Sequence, residues 1–257
     1  MRNVSTRVSP WFLAILAVSV AGGVLAVLGT AQLAESGSSV LLTVGVVLLV
    51  LGGWAVSLCL HEFGHAAVAY RGGDLSVRDK GYLTLDIRRY TDVGMSFVLP
   101  VIILLVGGIP LPGGAVWIQQ GAIPSRSARS LVSFAGPAAN LVIGAILTLA
   151  VAVVPMPVGL ATALSCLALI QILAFVLNIL PVPGLDGFGV LEPYLSTPVR
   201  RFAAQVRPFA PFVLLALLIG VPGVSAAFFD IGDAVFGAVG GDTELAAIGY
   251  SLLLFWR

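Results

Sequence analysis

"WAVSLCLHEFGHAAVAY", residues 54–70, sets two histidines and a glutamate inside a run that is otherwise almost wholly apolar. The chain has 2 histidines, and both are here, four residues apart. Ionisable side chains within an apolar span are expensive and mark function. The run is helical in type, and residues i and i+4 share a helix face. His61 and His65 can therefore point both imidazoles at one ion. Glu62 sits beside that face, where it can hold and deprotonate a water that the ion polarises. No basic residue lies in 40–70 to pair with Glu62, so a purely structural role for the three is weak.

The surroundings of the motif decide the fold class. Mean hydropathy is +1.08, and 59% of the residues are hydrophobic against 10% charged. A soluble domain carries about 25% charged residues, so this chain cannot face water on all sides. Apolar runs near the roughly 18–20 residues that span a bilayer recur at 11–29, 40–60, 131–154, 158–180 and 209–229. A weaker run, 234–256, contains Asp242 and Glu244. Long continuous runs of this kind are helices rather than barrel strands. The expectation is an all-α polytopic membrane protein with about six transmembrane helices.

A net charge of +1 carries no nucleic-acid footprint. Lys80 is the one lysine among 13 basic residues, a bias that points to a GC-rich bacterial genome and so to a bacterial cytoplasmic membrane. Cys59 and Cys166 lie in apolar segments and read as small core residues, not a disulfide. Arg2 and Arg7 precede an apolar stretch longer than a signal peptide's roughly 7–15-residue core. The first helix is therefore expected to be retained.

Basic residues orient the helices. With Arg2 and Arg7 in the cytoplasm, helix 11–29 exits and helix 40–70 returns. Arg71, Arg78, Lys80, Arg88, Arg89, Arg126 and Arg129 follow. All are cytoplasmic if the apolar segment 93–109 does not cross, and then Arg200, Arg201 and Arg207 are cytoplasmic too. Segment 93–109 is thus expected to be re-entrant or surface-lying, packed against the site.

A catalytic zinc wants three protein ligands and an open position, and no third histidine exists. Cys59 lies on another helical face, and Asp74 and Asp79 follow the helix-ending Gly72-Gly73. Asp186 in "NILPVPGLDGFG", 178–189, is the better candidate, because prolines and glycines break the chain there after span 158–180. Were 93–109 to cross, Asp186 would lie roughly 30 Å from the histidines, whereas ligation needs about 2 Å. The non-crossing topology brings them to one face. One zinc, one aspartate, two neutral imidazoles and a hydroxide sum to zero charge, which a low-dielectric site tolerates best.

In "SFAGPAANL", 133–141, Gly136 and Pro137 permit close helix approach. Asn140 could donate to a substrate carbonyl or oxyanion, or only join helices by a hydrogen bond. "GYLTLDIRRY", 81–90, alternates as a strand does, and "GGAVWIQ", 113–119, is extended in character. The two suggest a short hairpin that shields the site or pairs with an extended substrate. Asp74, Asp79, Asp86, Asp92 and Glu192 read as solvated surface.

HEFGH at 61–65, AGPAAN at 135–140 and NILPVPGLDG at 178–187, in that order, together resemble the site-2 protease family of intramembrane zinc metalloproteases. The resemblance covers about 54–190. It implies His61, His65 and Asp186 as zinc ligands, Glu62 as catalytic base, one Zn2+ per chain and cleavage of a substrate's own transmembrane segment. It implies a three-helix catalytic core, here 40–70, 131–154 and 158–180. Neither a PDZ nor a CBS domain is expected, so regulation would fall to a membrane partner or to the membrane part itself. The expected organisation is a single membrane-embedded protease domain, 1–257. Its core covers about 40–190, its cytoplasmic or re-entrant connector 71–130 and its accessory C-terminal helices 200–257. The expected partners are a transmembrane protein substrate and the lipid bilayer, with the site toward the cytoplasm. Other classes are a divalent-metal transporter, disfavoured by the absence of a repeat, and a non-catalytic scaffold, disfavoured by an intact Glu62.

Overall fold

The computed structural model describes residues 8–37, 39–90 and 116–256. Four long helices build the bundle: α1 (Pro10–Ser36), α2 (Val40–Gly72), and, past two one-turn helices α3 (Ser76–Asp79) and α4 (Ile87–Tyr90), α5 (Arg126–Val153) and α6 (Val158–Asn178). These four are long and apolar enough to cross a membrane. Helices α7 (Asp186–Leu191), α8 (Thr197–Val206), α9 (Ala210–Gly220), α10 (Pro222–Ala238) and α11 (Thr243–Leu253) follow. No strand occurs among the described residues.

Local chemistry sets the helix ends. Ser39 caps α2, its hydroxyl accepting from Leu42 N–H at 3.1 Å. Gly73 stops α2 in the left-handed region, φ 117°, where a side chain is strained. Between these caps lie 33 residues, about 50 Å of helix. The motif therefore falls well along α2, toward the end that outreaches a hydrocarbon core of about 30 Å. Helices α1 and α2 run antiparallel with backbones in contact at Gly22, Gly29 and Gly45. Small residues allow such approach where lipid gives helices no hydrophobic reason to associate. Helix α6 is the central post, largely buried and packed on α1, α2, α5, α10 and α11.

Three expectations change. The runs 209–229 and 234–256 are not single helices. Pro222, which has no N–H to donate, separates α9 from α10, and a turn at Gly240–Gly241 precedes the 11-residue α11. Helices α8 and α9 form a pair bent by 63° that could serve as one further span, so the described residues hold four spans, or five with that pair, against about six expected for the whole chain. The alternation at 81–90 does not make a strand either. Gly81 turns left-handed, 82–84 is a 3-10 turn, Leu85 is left-handed at φ 57°, and 87–90 is α4. Asp86 stabilises this path by accepting from Arg88 N–H and from its guanidinium at 2.9 and 2.7 Å. Residues 116–119 are held by side chains instead of a partner strand. The segment 93–109 and residues 113–115 lie outside the described residues.

The flanks of that segment are informative in themselves. Tyr90 Oη donates to the Tyr82 carbonyl at 2.6 Å, and Trp117 N–H donates to Tyr82 Oη at 3.5 Å. The chain thus sits at one end of the bundle both before residue 91 and after residue 115. Every lysine and arginine among the described residues clusters at this end, in 71–89, 126–129 and 200–207.

Candidate metal centre

Helix α2 delivers His61 and His65 on one face, and α5 crosses that face at its most permissive point. Gly64 of α2 lies against the Ala135 carbonyl, and Gly136 of α5 lies against both imidazoles. A methyl group at Gly136 would meet Nε2 of each histidine. Pro137 follows and cannot donate to the Ser133 carbonyl, which relaxes this turn of α5.

The third group arrives from α7. After α6 the chain turns through Pro181, Pro183 and Gly184, the last left-handed at φ 105°. Gly187 then packs directly on the carbonyls of Ile179 and Leu180. That contact lets α7 fold back on the end of α6, so its first residue, Asp186, reaches the histidines. Asp186 Oδ2 lies 3.2 Å from His61 Nε2 and 3.4 Å from His65 Nε2, and the two Nε2 atoms are 3.1 Å apart. Thus the three residues singled out from sequence come together, from segments more than a hundred residues apart.

The hydrogen bonds behind the rings fix what the front atoms are. His65 Nδ1 is 2.6 Å from the Val132 carbonyl, which can only accept. Nδ1 therefore carries the hydrogen, and neutral His65 offers a bare lone pair at Nε2. His61 Nδ1 is 2.9 Å from Asn140 Oδ1, an amide oxygen that accepts, which sets the same tautomer. Two lone pairs and a carboxylate oxygen converging on one point repel unless they share a cation. Two nitrogens and one carboxylate oxygen also form a donor set that zinc takes in catalytic sites. The residues fit a divalent ion. Glu62 is buried beside them, with Oε2 lacking any hydrogen-bond partner while the Val116 N–H bonds the same carboxyl.

A cleft of about 620 Å³ opens on the centre, bounded by Val116–Ile118 on one side and by Asn178, Glu192 and Arg207 on the other. Asp74, expected at the surface, is 1% exposed and braces the first of these walls. Its carboxylate accepts from Gln119 N–H at 2.7 Å and from the Ser76 hydroxyl at 2.6 Å. Burial pushes the Asp74 carboxyl up, but the Ser76 and Gln119 bonds outweigh it and hold the group below its ordinary value. Lys80 donates to the Trp117 carbonyl at 2.5 Å. The sequence signal for this brace was the Asp-x-Ser spacing after Gly72-Gly73, which favours a turn closed by the aspartate side chain. Asp86 is likewise buried, 7% exposed, and its Arg88 hydrogen bond holds its carboxyl below the ordinary value. Glu192 pairs with Arg207 at 2.8 Å on the cleft wall.

The Asn140 carbonyl oxygen is engaged by His61, so only its NH2 could meet a substrate. Its geometry makes it a positioning residue for His61. Asn140→Ala is expected to weaken metal affinity about 10–100-fold, as loss of an outer partner of a ligating histidine does. Titration of the purified apo protein with a competing chelator measures this. Unchanged affinity would show that the bond does no such work.

A family model described as "Peptidase family M50" matches residues 46–158, which contain the histidine motif, Gly136 and Asn140. The chain is 42% identical over 98% of its length to the protein named "Putative zinc metalloprotease Rip2" of Mycolicibacterium smegmatis, covering 95% of that protein. Its namesake in Mycobacterium tuberculosis is 41% identical over 98% of this chain and 95% of its own. "Putative zinc metalloprotease YwhC" of Bacillus subtilis is 30% identical over 64% of this chain and 77% of its own. No solved structure matches. With such identity from end to end, and with the converging His61, His65 and Asp186, the chain belongs to peptidase family M50.

Proposed function

We propose that this peptidase is a zinc metalloendopeptidase that hydrolyses peptide bonds in or beside the transmembrane segments of other membrane proteins. The observation that carries the proposal is the convergence of His61 Nε2, His65 Nε2 and Asp186 Oδ2, with buried Glu62 beside them. These three would hold one Zn2+, as the names of the full-length relatives suggest. Bound there, zinc supplies Lewis-acid chemistry toward water and a peptide carbonyl. Glu62 takes a proton from the attacking water and delivers it to the amine that leaves. Val132 and Asn140 keep both imidazoles turned so that Nε2 faces the reacting side.

The working core is proposed to be α2, α5 and α6 within about 40–190, with 200–257 accessory, in a single membrane-embedded domain 1–257. The basic end of the bundle coincides with the cleft end, which supports a site open to the cytoplasm of a bacterial cell membrane under the positive-inside rule. A cytoplasmic fragment is then the expected product, and regulation would come through a membrane partner. Asn140 NH2 remains the amide group of α5 that could reach an oxyanion. Glu62, buried with an unpartnered oxygen, speaks against a non-catalytic scaffold, since such a group is costly to keep without use.

Co-expression with single-span membrane proteins tests the substrate class. A shortened fragment should appear beside the wild-type chain and be absent beside Glu62→Gln. Cleavage of soluble peptides alone, with every single-span protein intact, would overturn the assignment to membrane substrates.

A further inference from the structure

Helix α8 is unlike its neighbours. The long helices pack on one another, whereas α8 packs extensively on no other described element. Its sequence, TPVRRFAAQV, divides cleanly at helical spacing. Val199, Phe202, Ala203 and Val206 share one face, and Arg200, Arg201 and Gln205 share the other. Only Ala203 of the apolar face is buried, at 2% exposure, while Phe202 is 65% and Val199 45% exposed. Arg200 and Arg201 are exposed and form no ion pair among the described residues.

Two further observations identify what covers this face. The exposed apolar surface continues from Phe202 through Phe209 and Phe212 into α9, an apolar helix that meets α8 at 63°. A helix that lies flat and then turns into an apolar one fits the boundary between headgroups and acyl chains. Second, the free charges are both positive and lie at the basic end of the bundle. An amphipathic helix with aromatic and aliphatic residues on one face and arginines on the other binds in the plane of an anionic membrane.

We infer that α8 is an interfacial helix that lies in the headgroup layer at the cleft end of the bundle, with Phe202 and Val199 at the acyl boundary and Arg200 and Arg201 on anionic lipid phosphates. Its seat bears on the active cleft, because Arg207 directly after α8 bonds Glu192 on the cleft wall. The inference needs the chain in a bilayer but not the peptidase chemistry, so its test does not use cleavage.

The full chain carrying Phe202→Cys is labelled with an environment-sensitive dye and reconstituted in vesicles. Cys59 and Cys166 are buried, so the label goes to the new thiol. Vesicles of phosphatidylcholine alone are compared with vesicles that also contain phosphatidylglycerol. The label should be blue-shifted and quenched more by a nitroxide high on the acyl chain than by one near its end. Phosphatidylglycerol should deepen the shift, and Arg200→Gln with Arg201→Gln should remove that gain, about fivefold in seated-to-free ratio for each arginine. Higher salt should do the same. Water-like emission in both vesicles would overturn the inference. So would shielding without nitroxide quenching, which would place a protein on this face, a second copy if the shielding rises with protein density. Strongest quenching by the deep nitroxide would also overturn it, since α8 would then be part of a span.

Discussion

Glu62→Gln should reduce peptide-bond cleavage by roughly 10²–10⁴-fold, the usual contribution of a general acid–base group, while the purified protein keeps its metal. Glutamine has the size of glutamate and can still meet the Val116 N–H, but it cannot take a proton at neutral pH. The ligand atoms lie on His61, His65 and Asp186, none of which is changed. The two readouts separate the two roles that a carboxylate next to a metal can have. A fragment-release assay in detergent or vesicles gives the rate, and metal analysis of the same preparation gives the occupancy. Retained cleavage would remove Glu62 from the proton path. Lost metal together with lost cleavage would make Glu62 a ligand rather than a base.

Gly136→Ala should empty the site while leaving α5 helical. Its methyl group would meet the Nε2 atoms of both histidines, in the space where an ion must sit to touch them. The neighbours cannot give way readily. His65 is tied to Val132, His61 to Asn140, and Gly64 already holds α2 against the Ala135 carbonyl. Metal affinity should fall by more than the roughly 10–100-fold typical of an outer-shell change, and activity should fall with it. Alanine is favoured over glycine in a helix interior by about 0.5–1 kcal/mol, so the substitution does not weaken α5 as a helix. A ligand that binds only the folded state raises its stability. Thermal unfolding with and without added zinc should therefore show a shift for the wild type and none for Gly136→Ala. A variant with a full metal complement and undiminished cleavage would show that the imidazoles do not converge as described.

The residues that make these predictions differ in how legible they were. His61, Glu62 and His65 could be read directly, because their relation is local: one helix, four residues, one face. Asp186 could be reached by topology, because it directly follows the Pro181–Gly184 break after span 158–180 and the basic residues put that break on the side of the histidines. The oxyanion or adhesive alternatives for Asn140 could not be separated on the page of sequence, since an amide offers a donor and an acceptor alike. The brace of Asp74 on Gln119 spans 45 residues, and nothing in the composition of either segment announces the other. The strand expected at 81–90 failed for the opposite reason. Six alternating residues, 83–88, satisfy the pattern, but without a neighbouring strand the backbone groups bond within turns, and Asp86 and Tyr82 supply the partners. The expected span 209–229 failed because apolarity was counted and the break at Pro222 was not, and the turn at Gly240–Gly241 leaves the weaker run 234–256 with an 11-residue helix.

What the sequence determined by itself is a consequence of solvent and of local geometry. So apolar a chain must lie in lipid, lipid requires its backbone to bond internally as helices, and a helix places i and i+4 on one side. What only the tertiary structure decided is contact between segments distant along the chain. The Val132 carbonyl sets the tautomer of His65, Gly136 leaves room between two rings, and Gly187 lets α7 fold back to bring Asp186 home. Such contacts depend on the register and separation of packed helices to within an ångström, and a pattern of residue types along one chain does not specify that.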